Sequence, residues 1–385
     1  MVLTSDELIG IRRHLHTIPE LAMNEYQTHE YIKQVIASFP QTNLEIKELP
    51  ELPTALLVLV RGSNPQRNIG YRCDMDALPV DEDNGLSYAS KHPHVMHACG
   101  HDIHVTVALG ILNYFSINQP QDNVIFFFQP AEESQSGGKV AYDLGAFSGD
   151  FKVDEFYGLH DNPQLEPGVI GCRNGTLFAG TTEVNVTITG KSGHAAYPHL
   201  ANDAIVIAAN FINQVQTVIS RSIDPTKCGV ITFGKMQAGV IRNVIAGQAR
   251  LEGTIRGLTQ KMIEFIRQRI TEIAEGLGLS FNCQIKIEYN QGGYYPVEND
   301  PTLTRNFIHY MQAEPTIDFV ETDPKMTGED FGYLLNKIPG TMFWLGVGGP
   351  GALHSKDFLP KEDAIKKGVD AVIGFLNYRM NSEGK

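Results

Sequence analysis

The sequence predicts an α/β protein with a mostly parallel sheet, into which a ferredoxin-like α+β domain is inserted. Short, nearly continuous apolar runs alternate with helical stretches in the first part of the chain, as is typical of parallel strands covered on both faces. The pattern changes to β-α-β-β-α-β over residues 181–290 and then returns. With 385 residues, the chain is also long for a single core. We therefore predict a discontinuous domain, residues 1–180 and 291–385, and an inserted domain, residues 181–290.

The elements of the discontinuous domain follow from the spacing of its apolar residues. Ser5 is suited to cap a first helix that carries Leu8, Ile11 and Leu15 on one face. Further helices are expected at residues 24–38, 101–115, 301–311 and 361–379. Strands are expected at residues 54–60, 69–73, 123–128, 155–159 and 341–347.

The inserted domain has a different pattern. Val184, Val186 and Ile188 alternate with polar residues, as in a strand with one face in solvent. A helix at 202–220, strands at 229–234 and 248–256, a helix at 260–275 and a strand at 281–288 follow in that order. Because such a sheet leaves an exposed edge that needs a partner or a cover, we predict a dimerisation or lid domain.

Composition restricts the functions that this chain can have. A net charge of −13 argues against binding to nucleic acid or to an anionic membrane surface. The apolar runs are too short to span a bilayer, and the first residues lack the basic and apolar regions of a secretory signal. Five cysteines with scattered spacing fit a reducing compartment. We therefore expect a cytoplasmic protein.

Five residues near the ends of predicted strands have side chains that bind metals. A thiolate, imidazoles and a carboxylate suit Zn²⁺, Mn²⁺, Co²⁺ or Ni²⁺ better than Ca²⁺ or Mg²⁺, which prefer oxygen ligands. The ends of neighbouring parallel strands meet at one crevice, so these side chains are expected to converge. The predicted ligands are Cys99, His101, Glu133, His160 and His354.

Glu132 remains beside Glu133 as a carboxylate that is not needed as a ligand. Metal-assisted hydrolysis requires such a group as the general base for the attacking water. A structural zinc module is disfavoured because no second close Cys/His pair follows. A thiol redox protein that uses Cys99 is disfavoured because no resolving cysteine lies nearby. A non-catalytic metal-binding or peptide-binding protein would not require Glu132.

Five motifs make the chain similar to a known family. The chain resembles the zinc-dependent aminoacylase and carboxypeptidase amidohydrolases over nearly its whole length, through the motifs RCDMDALP (72–79), HACGHD (97–102), QPAEE (129–133), GKSGHAAYPH (190–199) and MTGEDF (326–331). It is most similar to the branch that contains hippurate hydrolases, auxin-conjugate amidohydrolases and bacterial N-acetyldiaminopimelate deacetylases. The stretches LEGTIR (251–256) and MFWLGV (342–347) are most similar to the last of these.

The resemblance implies a role for each matching residue. The five predicted ligands match the family's ligands, with Cys99 in the bridging position when two metal ions bind. Glu132 matches the general base and Asp74 the carboxylate that orients the metal centre. Arg72 is a departure, because some relatives carry a histidine ligand there. In the inserted domain, three residues match positions that contact substrate: His194, which reaches the partner subunit's site, and Asn243 and Arg256, which hold the substrate carboxylate and the developing oxyanion.

The activity that the resemblance implies is hydrolysis of an N-acyl amino acid by a homodimer with one or two divalent metal ions. Glu132 would accept a proton from the attacking water and return it to the leaving amine. N-acetyl-LL-diaminopimelate is the expected substrate, in the acetylated route to lysine. A broader hydrolase of N-acyl-L-amino acids or hippurate remains an alternative.

Overall fold

The computed structural model describes residues 1–381 and forms two compact units. Unit 1 comprises Met1–Leu177, Val297–Asp323 and the chain from Asp330 onward, and unit 2 comprises Phe178–Pro296 and Pro324–Glu329. Residues 178–180, 291–296 and 324–329 therefore belong to unit 2, although the sequence pattern placed them in the discontinuous domain. Backbone hydrogen bonds explain this difference: the N–H of Ala179 donates to Lys325 O and that of Thr181 to Tyr294 O, both at 2.9 Å.

The helices and strands lie close to the predicted positions, with additional short strands. The α-helices of residues 1–381 are α1 (Ser5–Thr17), α2 (Tyr26–Ala37), α3 (His101–Ile117), α4 (Gly137–Asp143), α5 (Ala204–Thr217), α6 (Gln260–Phe281), α7 (Pro301–Ala313), α8 (Phe331–Lys337) and α9 (Asp363–Asn381). Their strands are β1 (Leu44–Leu49), β2 (Leu52–Val60), β3 (Asn68–Asp74), β4 (Asn123–Gln129), β5 (Glu155–Asn162), β6 (Ile170–Cys172), β7 (Gly175–Phe178), β8 (Gly180–Thr189), β9 (Gly193–His194), β10 (Gly229–Ala238), β11 (Val244–Ile245), β12 (Gln248–Gly257), β13 (Gln284–Asn290), β14 (Val297–Asn299), β15 (Phe319–Glu321) and β16 (Gly340–Gly346). No helix in this part of the chain has both the length and the apolar character that crossing a bilayer requires.

The central sheet of unit 1 has the strand order β1-β2-β4-β3-β5-β16-β6-β15. The four strands β4, β3, β5 and β16 are mutually parallel, whereas β2 and β6 run antiparallel to their neighbours in this group. This confirms an α/β fold with a mostly parallel central sheet. β1 was not predicted because its residues are mostly half-buried or exposed, and it pairs with β2 through a tight hairpin.

Burial of the parallel strands in the core of unit 1 explains why their sequences are continuous apolar runs. β5 and β16 are buried along their whole length, and β3 and β4 are buried except at their first residue. α3 is buried from His101 to Asn113 because it packs against the sheet, α1 and α9. The helix α1 begins as predicted, but its N-cap is Thr4 rather than Ser5. The Thr4 hydroxyl accepts the Glu7 N–H at 3.3 Å, and the Glu7 carboxylate accepts the Thr4 N–H at 2.8 Å.

Unit 2 contains the β-α-β-β-α-β order in β8, α5, β10, β12, α6 and β13. Its four-stranded antiparallel sheet has the order β10-β12-β8-β13. Val184, Val186 and Ile188 form part of its core with residues of α5 and α6. The last strand was predicted from residue 281, but α6 continues to Phe281 and ends at Asn282, whose φ of 47° is left-handed. The strand therefore starts at Gln284.

Candidate metal centre

The carboxyl ends of the parallel strands bring the five predicted ligands together in unit 1. Cys99 and His101 lie at the start of α3, Glu133 follows β4, His160 lies in β5 and His354 follows β16. The imidazole Nε2 atoms of His354 and His160 lie 3.2 and 3.6 Å from the Cys99 sulfur. Glu133 Oε1 lies 3.5 Å from His354 Nε2 and 3.9 Å from His101 Nε2. The arrangement is compact enough for one cation to contact several of these atoms.

Two groups of possible ligands share Cys99. One group is Cys99, His101 and His160, and the other is Cys99, Glu133 and His354. Within each group, the ligand atoms lie within 4.8 Å of one another. A sulfur atom common to two groups is the arrangement that a bridging ligand between two metal ions requires.

Backbone carbonyls orient two of the imidazoles. The Nδ1 atom of His101 lies 2.8 Å from the Asp76 carbonyl oxygen, and Nδ1 of His160 lies 2.9 Å from the Asp161 carbonyl oxygen. Each ring therefore donates from Nδ1, and Nε2 is the nitrogen that is placed to bind a metal. His101 Nε2 is buried and has no hydrogen-bond partner among the described residues, and the same holds for Glu133 Oε1. These atoms fit a metal ion as their missing partner.

The charges of the centre also fit a divalent cation. Burial, Glu133 and Asp161 raise the pKa of the Cys99 thiol well above its ordinary value, and burial raises the pKa of Glu133. Burial opposes the charged form of His101, but Asp74 and Asp76 raise its pKa well above the usual range. Negative groups therefore dominate the site. A dication would be attracted and would favour the Cys99 thiolate.

Asp74, at the end of β3, lies beside the ligands and is fully buried. Its Oδ2 atom accepts a hydrogen bond from Arg72 Nη1 at 2.7 Å and lies 3.7 Å from His101 Nε2. Burial would raise the pKa of Asp74, but Arg72, His101 and His104 hold it well below its ordinary value. Arg72 also contacts Gln129 at 3.0 Å and Asp330 at 2.9 Å. In this chain, Arg72 therefore neutralises buried carboxylates.

Glu132 is buried and lies beside the predicted ligands His101 and Glu133. A carboxylate oxygen of Glu132, a carboxylate oxygen of Glu133 and a ring nitrogen of His101 form a further group of atoms within 4.8 Å of one another. Glu132 Oε1 accepts a long hydrogen bond, 3.4 Å, from the Asp330 backbone N–H. A carboxylate in this position can contact water beside the metal ligands, as a general base must.

The backbone around the centre adopts conformations that side chains rarely allow. Ala131, before Glu132, has a φ of 57°, and His354 has a φ of 66°. Gly100, between Cys99 and His101, has a φ of 77°, and a Cβ atom there would lie 2.5 Å from Asp161 Oδ2. Such left-handed residues concentrate at functional sites, where the surrounding structure holds them in place.

The structure places the three predicted substrate-contacting residues in unit 2. His194 and Asn243 lie together, because β9 and β11 pair with His194 opposite Val244 and the Ala195 N–H donates to Asn243 O at 3.1 Å. Both side chains are exposed. Arg256 lies near the end of β12, where it is half-buried, donates to Ile255 O at 3.2 Å and contacts Thr254.

Sequence reasoning missed residues that support the centre. His104 lies 2.5 Å from Asp74 through Nδ1 and 3.1 Å from Asp161 through Nε2. Burial opposes its charged form, yet Asp74 and Asp161 raise the pKa of His104 to about 8. Its position three residues after His101 places both on one face of α3, and this spacing was a usable signal. Asp76 was part of a motif, but nothing in the sequence indicated that its carboxylate accepts the N–H groups of Glu132 and Glu133.

Comparison with known proteins identifies the family. The sequence profile of peptidase family M20/M25/M40 matches residues 70–378. The chain belongs to this family. Membership confirms the resemblance predicted from the motifs, the metal-dependent hydrolase class and the divalent-metal cofactor.

Similar proteins match nearly the whole length of the chain. The chain is 66% identical to the N-acetyldiaminopimelate deacetylase of Limosilactobacillus reuteri (strain DSM 20016) over 99% of this chain and 100% of that protein. It is 64% identical to the N-acetyldiaminopimelate deacetylase of Lactobacillus helveticus (strain DPC 4571) over 98% and 99% of the two chains. Among solved structures, the YXEP protein of Bacillus subtilis, a dinuclear metal-binding peptidase from the M20 family, has a TM-score of 0.86 at 28% identity and covers 98% of this chain and 99% of its own.

Proposed function

We propose that this chain removes the acetyl group from N-acetyl-LL-diaminopimelate, giving LL-diaminopimelate and acetate in the acetylated route to lysine. The observation that carries the proposal is the full-length 66% identity to a protein named N-acetyldiaminopimelate deacetylase. The cluster of metal-ligating side chains beside Glu132 supports the same chemistry, because amide hydrolysis needs an electrophile and a base. We place the enzyme in the cytoplasm, since its five cysteines are free.

The proposed roles divide the centre into ligands and proton-transfer groups. Cys99, His101, Glu133, His160 and His354 would hold one or two ions. When bound, the cation supplies a Lewis acid for the acyl oxygen and makes the attacking water more acidic. The buried, ionised Asp74, whose Oδ2 lies 3.7 Å from His101 Nε2, would orient the metal centre.

Glu132 moves the proton in the proposed reaction. Its carboxylate accepts a proton from water as the water oxygen forms a bond to the acetyl carbon. When the C–N bond breaks, Glu132 returns that proton to the departing nitrogen, so that acetate and a free amine are released. The Asp330 N–H contact at 3.4 Å supports one oxygen of this carboxylate.

The geometry of unit 2 supports a substrate site shared between two copies of the chain. His194 and Asn243 lie just beyond the end of the sheet where Gln248 pairs with Thr189, whereas Arg256 pairs with Thr181. The eight residue-to-residue steps from Gln248 to Arg256 span roughly 26 Å of strand. One copy of unit 2 therefore cannot bring both ends to one small substrate. If His194, Asn243 and Arg256 all contact it, two subunits must contribute.

The edges of the unit 2 sheet indicate which surface would form a homodimer. The β13 edge carries exposed, charged Lys286 and Glu288, which protect an edge strand from pairing. The β10 edge carries exposed Met236, and Val240 and Ile241 directly after β10 are exposed as well. We propose that two copies associate through β10 and these apolar residues, because this closes the edge with twofold symmetry.

His194 is suited to donate a hydrogen bond to the oxyanion in the partner's site. The Ala196 N–H donates to His194 Nδ1 at 3.1 Å, so the proton of the neutral ring lies on Nε2, which is the donor required.

The His194→Ala variant should show a kcat that is lower by roughly 10²-fold to 10³-fold, as is found when other oxyanion donors are removed. Co-expression of His194→Ala and Glu132→Gln subunits, purified through two different tags, should restore activity, because each mixed dimer contains one site with both residues intact.

The control for this complementation is each variant purified alone, which should be nearly inactive. Mixed dimers purified through both tags should show on the order of half of wild-type activity, since one of their two sites is intact. Mixed dimers that contain both tags but remain inactive would exclude action of His194 across the interface.

The proposed substrate is tested by steady-state assays with defined metal. We expect kcat/KM for N-acetyl-LL-diaminopimelate to exceed the values for N-acetylmethionine and hippurate. All three share the scissile amide and α-carboxylate, so the comparison isolates recognition of the side chain and acyl group. Equal values for the three compounds would favour a broad N-acyl-amino-acid hydrolase, and a preference for hippurate would favour a benzoyl-specific enzyme.

A further inference from the structure

We propose that Glu25 and Asp76 act as a carboxylate clamp that positions the loop carrying Glu132 and Glu133. The inference rests on the roles proposed above for these two loop residues and adds the groups that hold them in place. Glu25 and Asp76 would be positioning residues, because neither is proposed to touch the substrate.

Three consecutive backbone N–H groups of this loop donate to the clamp. The Ala131 N–H donates to Glu25 Oε1 at 2.8 Å. The Glu132 N–H donates to Asp76 Oδ1 and the Glu133 N–H to Asp76 Oδ2, both at 3.0 Å. The two oxygens of one carboxylate thus fix two successive peptide planes. Since the directions of the Glu132 and Glu133 side chains depend on these planes, the clamp fixes the base and the ligand together.

The loop needs such support because its backbone is unusual and buried. Ala131 has a φ of 57°, a conformation that non-glycine residues adopt only when the surroundings impose it. Ala131 and Glu132 are buried, so water cannot replace a lost acceptor easily. Loss of the clamp would leave buried N–H donors unsatisfied, and the loop would relax to reach new partners.

The two carboxylates are placed in a way that a purely structural role does not require. Glu25 occupies the N-cap position of α2, but its side chain does not cap that helix. It is fully buried and accepts the N–H groups of Met23, at 3.1 Å, and Ala131. The backbone carbonyl of Asp76 also accepts Nδ1 of His101 at 2.8 Å, so Asp76 links the loop to a ligand from α3.

Glu25 accepts its backbone hydrogen bonds with one carboxylate oxygen, whereas Asp76 uses both. This difference predicts that amide substitutions of the two residues have different effects. Both backbone contacts of Glu25 use Oε1, so Glu25→Gln keeps the acceptor that matters. Asp76 uses both oxygens, one for each N–H. Asp76→Asn replaces one acceptor by an NH₂ donor that faces an N–H group. We therefore expect Glu25→Gln to behave as wild type and Asp76→Asn to be impaired, although both substitutions keep the shape of the side chain.

The experiment measures kcat and KM at saturating Zn²⁺ and, separately, Zn²⁺ affinity by competition with a chelator. Glu25→Ala and Asp76→Asn should each lower Zn²⁺ affinity roughly 10-fold to 100-fold, as loss of a group that orients a ligand does. Displacement of the base should lower kcat by up to roughly 10²-fold with little change in KM. Glu25→Gln should retain both values.

Asp122→Ala is the matched control. Asp122 is also a buried carboxylate of unit 1, and it accepts the Gln66 N–H at 2.7 Å and contacts Arg67, but it lies before β4, at the opposite end of that strand. We expect it to lower thermal stability while leaving kcat and Zn²⁺ affinity unchanged. Equal losses of kcat and Zn²⁺ affinity in Asp122→Ala and Glu25→Ala would overturn the clamp, since general destabilisation would then explain both.

Other outcomes separate the clamp from the proposed function. Folded Glu25→Ala and Asp76→Asn with wild-type kcat and Zn²⁺ affinity would overturn the clamp, even if Glu132→Gln is inactive. If Glu132→Gln is fully active, the proposed base is wrong, but Zn²⁺ affinity still tests the clamp through Glu133. If Glu25→Ala does not fold, the contrast between Glu25→Gln and Asp76→Asn decides the question, and equal behaviour of these two would overturn the proposal.

Discussion

Removal of metal with a chelator is expected to abolish amide hydrolysis, and Mn²⁺, Co²⁺, Ni²⁺ or Zn²⁺ should restore it. The mixed sulfur, nitrogen and oxygen ligands suit these ions, and carboxylates dominate the charge of the site. Binding should also stabilise the fold, by about 2.7 kcal/mol at a metal concentration of 100 Kd. The measurements are turnover and the melting temperature before and after addition of metal. Full activity in protein shown to be metal-free would contradict the metal-dependent mechanism.

Two buried cysteines of unit 1 provide a matched control for the metal prediction. Cys99 belongs to both groups of ligands, so Cys99→Ala should lower the amount of bound metal and the activity. Cys172 lies in β6, where its thiol contacts the Met342 carbonyl at 3.7 Å. Cys172→Ala should bind metal as wild type does. Equal metal loss in both variants would mean that a destabilised unit 1, rather than a missing ligand, causes the effect.

The fold could be predicted where local pattern and tertiary structure agree. β3, β4, β5 and β16 are buried strands, so their sequences are continuous apolar runs that are visible without a structure. β6 and β15 have only three residues each, and their places at the sheet edge depend on pairing between distant segments. Nothing local distinguishes such segments from loops. The end of α6 was misplaced because Asn282, rather than a glycine or proline, adopts the left-handed conformation.

The candidate site likewise contains residues that could be predicted from the sequence and residues that could not. The ligands could be proposed because thiol, imidazole and carboxylate groups near strand ends have few other uses in that combination. Glu25 and Asp76 could not be proposed as supporting residues, because they act on the backbone of the loop that carries Glu132 and Glu133. Glu25 is 106 residues away from Ala131 in the chain, and the contact between them exists only because α2 begins beside the loop after β4. The sequence of Glu25 and its neighbours carries no trace of that proximity.

Glu132→Gln is expected to lower kcat by roughly 10²-fold to 10⁴-fold, the range for a positioned proton-transfer group. Glutamine has the shape of glutamate and keeps an oxygen that can accept the Asp330 N–H, but it cannot accept a proton from water. KM and metal affinity should therefore change little.

Glu133→Gln is the contrasting control on the adjacent residue. Its Oε1 atom lies among the ligands, so this variant should lose metal affinity first and activity as a consequence. Wild-type turnover in Glu132→Gln would remove Glu132 from the mechanism. Loss of metal in that variant would instead make Glu132 a ligand, and the base would then have to be sought among the other carboxylates of the centre.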